Sequence, residues 1–114
     1  MSERHATYFD EVEARFEEAL DFDLGLEEEF QILDPSTLAL TPGFESLRAT
    51  AGSRLSGRIA GELLRSEIEV STPRSSHFAQ AARELLLNRT ELLALADAQG
   101  FALGATGTHP FSGW

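Results

Sequence analysis

Apolar residues recur at helical spacing near the start of the chain and then change to alternation. Phe9, Val12, Phe16 and Leu20 repeat every three or four positions, with Asp10, Glu11, Glu13, Glu17 and Glu18 on the remaining faces. That period predicts an amphipathic helix over residues 6–20. "DLGLEEEFQIL", residues 23–33, has strand character and runs into the turn-prone "DPST" at 34–37. Residues 42–58 mix Gly, Ser, Ala and Arg without a period, and read as a short helix over Phe44–Thr50 followed by an irregular crossing. "LLRSEIEVSTP" predicts a second strand, closed by Pro73. The clearest helix spans Ser76 to Gln99, with Ser75 or Ser76 as N-cap and Gly100 as a left-handed stop. Its expected buried stripe is Phe78, Ala82, Leu85, Leu92 and Ala96. "FALGAT", residues 101–106, is a third short strand leading into the loop "GTHPFSGW". These strands leave open sheet edges, so the chain reads as a piece of something longer.

Side chains two apart on a strand share a face. Gly25, Glu27, Glu29 and Gln31 therefore fall on one side, with Leu24, Leu26, Phe30 and Ile32 on the other. Glu28 breaks the apolar side. The second strand repeats the pattern: Glu67, Glu69 and Ser71 oppose Ile68 and Val70. If the two strands are neighbours, four carboxylates line one surface, where they repel one another unless cations or protons intervene. Half-exposed acidic strands are common in antiparallel sheets, so alternation alone leaves a merely solvated face open as a reading. Gly25 adds a place where a ligand can approach the backbone.

Composition narrows the partners. Nine arginines, no lysine and 19 acidic residues give a formal net charge of −10. Nucleic acid and anionic membrane surfaces would be repelled. No run approaches the length of a spanning helix, and the charged N-terminus lacks the apolar stretch of a secretion signal. A cytoplasmic location follows as the default. Without cysteine there is no thiolate site, and oxygen-rich ligation favours Mg²⁺ or Mn²⁺ over Zn²⁺. No phosphate-loop lysine motif and no nucleophile triad can be assembled, and catalytic residues are not assigned. Asn88-Arg89-Thr90 matches a glycosylation acceptor but lies mid-helix, and carries no function here.

Taken in order, "LGLEEEFQILDP", "EIEVSTP" and "ATGTHPFSGW" resemble the start of the type 2 glutamate–cysteine ligases, a carboxylate–amine ligase branch of the glutamine-synthetase-like superfamily. The resemblance covers residues 23–114 and leaves residues 1–22 as an N-terminal helical extension. It implies an α+β fold with a mostly antiparallel sheet and flanking helices, the N-terminal portion of an incomplete catalytic domain. It also implies ATP and Mg²⁺ (or Mn²⁺), an acyl-phosphate route from glutamate and cysteine to γ-glutamylcysteine, and small-molecule substrates. A homo-oligomer of the full-length form is compatible with it. Mapped onto this chain, the metal ligands are Glu27, Glu29, Glu69 and Glu62. Glu67 stands where relatives often carry an apolar residue, so the resemblance leaves it out of that set. Thr108, His109, Pro110 and Phe111 match the loop that shapes the substrate end of the pocket. Arg74-Ser75 departs from the family pattern after Thr-Pro. The histidine-containing strand and the substrate arginines of the family are missing, so this chain alone is expected to be inactive. The alternative is a non-catalytic acidic α/β module whose sheet edges pair with another chain.

Overall fold

A computed structural model describes residues 3–19 and 21–112, with side-chain surroundings from residue 7 onward except residue 20. The order is α1 (Glu3–Glu17), β1 (Glu27–Leu33), α2 (Phe44–Thr50), α3 (Ser53–Ser56), β2 (Ile59–Gly61), β3 (Glu67–Ser71), α4 (Phe78–Ala98) and β4 (Ala102–Gly104). The four strands form one antiparallel sheet in the order β2-β3-β1-β4. The expected α+β architecture is the one observed.

Alternation decides how the sheet is covered. Phe30 and Ile32 of β1 and Ile68 and Val70 of β3 point to one side, where they pack with Phe44, Leu47, Leu55, Leu92 and Ala96 of the helices. Helices α2 to α4 thus cover one face, and removing that apolar surface from water is what holds the two layers together. Gly61 is required by this packing, because a Cβ there would lie 2.6 Å from the Phe44 ring. Gly100 takes φ +76° and ends α4, as a left-handed stop should.

Several expectations shift on contact with the fold. The region expected to cross irregularly holds α3 and the edge strand β2, each too short to leave a period in sequence. Leu92 and Ala96 are buried as expected, but Phe78 is 68% exposed and Ala82 and Leu85 are only half-buried, with Ala81 and Asn88 completing the buried line of α4. Asn88 sits in the seam and donates from Nδ2 to the Ser71 carbonyl at 3.0 Å. Its Oδ1 accepts from Arg54 Nη1 at 3.1 Å, and Arg54 Nε also pairs with Glu91 at 2.6 Å. Neither Ser75 nor Ser76 caps α4, which follows His77 with no side-chain cap. Ser75 is recruited to the sheet, exchanging two 2.9 Å backbone hydrogen bonds with Leu24.

The helix expected over residues 6–20 forms over Glu3–Glu17, with Leu20 outside the described residues. Its apolar stripe is not buried, as Tyr8, Phe9, Val12 and Phe16 all face solvent. Among the described residues no helix is long and apolar enough to cross a membrane.

Candidate metal-binding face

The face of the sheet opposite the helices carries the carboxylates. β1 and β3 pair Glu27 with Ser71, Glu29 with Glu69, and Gln31 with Glu67. Hydrogen bonds join Thr72 to Leu26 and Ile32 to Ser66. The odd-numbered pairs therefore occupy the non-hydrogen-bonded positions, where Cα atoms are about 4.5 Å apart and side chains closest. Glu29 and Glu69 thus oppose each other directly, an arrangement that costs roughly 0.2–1 kcal/mol without a counterion. Glu62, just beyond β2, approaches from the sheet edge.

Electrostatics record the crowding. Burial raises the Glu69 carboxyl above its ordinary value, with Glu27, Glu62 and Glu29 adding to the effect by charge and Glu62 also by a hydrogen bond. Burial likewise raises Glu67, reinforced by Glu29 and Glu62. The structure therefore brings all four expected ligands, Glu27, Glu29, Glu62 and Glu69, to one surface, and sets Glu67 beside them. Among the described residues, no basic side chain is ion-paired with any of these five.

Glu28 behaves differently. It points to the helix-covered side and is held by the Arg89 guanidinium of α4 through two hydrogen bonds, one of them 2.6 Å from Nε to Oε2. The triplet thus divides into one paired and two unpaired carboxylates. Arg89 received no role in the sequence reading, although a carboxylate in the apolar phase of a strand itself signals a cationic partner.

At the head of β1 the ladder is irregular. Leu26 pairs with Thr72 and Leu24 with Ser75, so Gly25 alone faces both Pro73 and Arg74. This is a bulge at Pro73–Arg74, set opposite a residue without a side chain. Thr72 Oγ1 accepts the Leu26 N–H at 2.9 Å and keeps that backbone group satisfied. A Cβ on Gly25 would meet nothing within 4 Å, so no packing inside the chain demands glycine there.

The expected substrate loop lies at the other end of the face. Thr106 Oγ1 donates to Oε1 of the buried Gln31 at 2.8 Å, a contact the sequence reading did not single out. Thr108, Pro110 and Phe111 are exposed. His109 is half-buried, stacked edge-on with Phe111 at 4.5 Å, and its Nε2 lies 2.7 Å from the Leu38 carbonyl. Gly113 and Trp114 of the same loop lie outside the described residues.

As a donor set the carboxylates suit a hard divalent cation. Among the described residues no three of them already enclose a common point. Residues so placed could each offer one or two carboxylates to a hard divalent cation such as Mg²⁺ or Mn²⁺, and do not form an all-protein cage among the described residues.

The model of the glutamate-cysteine ligase family 2 matches residues 23–114. The chain belongs to that family. A protein of Rubrobacter xylanophilus named putative glutamate–cysteine ligase 2-3 is 41% identical over 102 residues, covering 89% of this chain and 28% of the relative. Putative glutamate–cysteine ligases 2 from Sorangium cellulosum and Chloroflexus aurantiacus are 40% and 34% identical, each over 82% of this chain and about a quarter of their own length. This member of the family thus spans about a quarter of the length of the curated relatives it matches.

Proposed function

We propose that this chain supplies the metal–nucleotide face of an ATP-dependent carboxylate–amine ligase, with glutamate and cysteine as the acid and amine. One observation carries the reading: five carboxylates share a sheet face and, among the described residues, have no cationic side chain ion-paired with them, while Glu28 in the same triplet has one. A face of this kind is incomplete without cations. Family membership supplies the class of reaction.

In the proposed reaction the side-chain carboxylate of glutamate attacks the terminal phosphorus of ATP and ADP leaves. The amine of cysteine then attacks the acyl carbon, the amide bond forms, phosphate departs and the amine gives up a proton. Divalent cations, when bound, would neutralise the triphosphate so that an anionic nucleophile can approach it. Glu27, Glu29, Glu62 and Glu69 would hold them, and Gly25 would leave the approach to β1 open. Thr108 and its neighbours would border the acid and amine end. The remaining groups needed for turnover lie outside these residues, and the reaction is placed in the cytoplasm.

The test uses the complete protein that carries this segment. Glu29→Gln should weaken Mg²⁺-dependent ATP binding about a hundredfold, since it removes a carboxylate donor, while Glu28→Gln leaves binding near wild type. Equal affinities in the two variants would overturn the assignment.

A further inference from the structure

We propose that His109 is a positioning residue, which fastens the loop after β4 to the turn after β1 and thereby fixes where Thr108 stands. Both ring nitrogens are already engaged inside the chain. Nδ1 accepts the Ser112 N–H at 2.9 Å and the Phe111 N–H at 3.3 Å. A nitrogen that accepts two amides carries no proton, so Nε2 is the donor to the Leu38 carbonyl at 2.7 Å. Neither nitrogen is left over for a substrate.

The receiving turn is built to present that carbonyl. Asp34 Oδ1 accepts the Ser36 and Thr37 N–H groups at 2.8 Å each and the Thr37 hydroxyl at 3.1 Å. The Asp34 carbonyl accepts the Leu38 N–H at 2.8 Å, and the Asp34 N–H donates to Ala39 at 2.9 Å. Leu38 takes φ 58°, a left-handed conformation that disfavours a branched side chain and persists only where the surroundings impose it. At its other end the loop is tied to the carboxylate face through Thr106 and Gln31. Gly107 and Thr108 hang between the two ties, exposed and with no bonds of their own among the described residues.

The inference rests on the ligase reading for its kinetic arm only. In the complete protein, His109→Ala should lower kcat/KM roughly tenfold to a hundredfold, the scale of a small misplacement near the reacting groups. His109→Gln, whose amide reaches the position of Nε2, should recover most of the loss. His109→Asn keeps only the acceptor for the Phe111 and Ser112 amides and should not recover it. Asp34→Ala, which leaves the ring untouched, should cost as much as His109→Ala, and the double variant no more than either. Losses that multiply in the double variant, or rescue by Asn rather than Gln, would overturn the proposal.

The second arm needs no turnover. Asp34→Ala should speed amide exchange at Ser112 about tenfold, because that amide's acceptor ring is held from the turn. Unchanged exchange would overturn the tether. A complete protein that ligates no acid and amine, yet shows the faster exchange, would sink the ligase reading and leave the tether standing.

Discussion

The two faces of this sheet are made from the same strands and solve opposite problems. On the covered face Ile68 and Val70 meet Phe30 and Ile32, and the one carboxylate that strays among them, Glu28, is clamped by Arg89. On the open face Glu29 meets Glu69 in the closest kind of cross-strand pair, and no basic side chain among the described residues is ion-paired with them. The difference is one of charge balance. The covered face pairs its carboxylate within the chain, whereas the open face sets carboxylate against carboxylate.

The largest effect should come from breaking the covered face. Ile68 is fully buried, and Ile68→Ala should cost about 3 kcal/mol in denaturant unfolding, from lost transfer energy and a residual cavity. A loss below about 1 kcal/mol would mean that the layers are not packed as described.

Next comes a pair of substitutions that should move stability in opposite directions. Glu28→Gln removes the charge held by Arg89 and should destabilise slightly, limited by the solvent that reaches the guanidinium. Glu69→Gln relieves the opposition to Glu29 and should stabilise by about 0.5 kcal/mol in the absence of divalent cations. Matching signs in urea melts would erase the distinction between the faces.

The smallest effect is a pH signature. Glu67 and Glu69 have folded pKa values raised above the ordinary 4.5, so their contribution is present below that value and is lost as pH rises through the folded ones. Asp34 runs the other way. Its carboxylate accepts the Thr37 and Ser36 amides, which lower its pKa below 3.8, so its contribution is lost only as pH falls through the folded value. Without divalent cations the contribution of Glu67 and Glu69 should therefore lower stability as pH rises above the ordinary 4.5. Mg²⁺ should abolish the decline. A melting temperature that does not fall on raising the pH in chelator would count against the crowded face.

Much of the open face was legible because a strand's period is short and unambiguous. Glu27, Glu29, Glu67 and Glu69 follow from alternation, given only that the strands are neighbours. Three-dimensional accidents were not legible. Ala82 and Phe78 fit a helical stripe as well as Ala81 does, and a polar Asn88 in the seam, bonded to the Ser71 carbonyl, is not something an apolar period can announce. The apolar side of α1 has the right period yet Phe9, Val12 and Phe16 stay exposed, because periodicity reports that a face exists and not what covers it. His109 falls in the expected substrate loop, but its Nε2 bond runs to a turn far away in sequence.

The strand order has a consequence for synthesis. β1 leaves the ribosome first, yet both of its neighbours in the sheet, β3 and β4, come later in the chain. In the meantime only the short return at Leu40, bridged to Leu33, lies beside its far end. Glu28 must wait for α4 to emerge before Arg89 reaches it, and Phe30 and Ile32 stay wet for the same interval. The triplet of charges therefore also keeps a nascent, half-apolar strand from finding the wrong partner while the right ones are still being made.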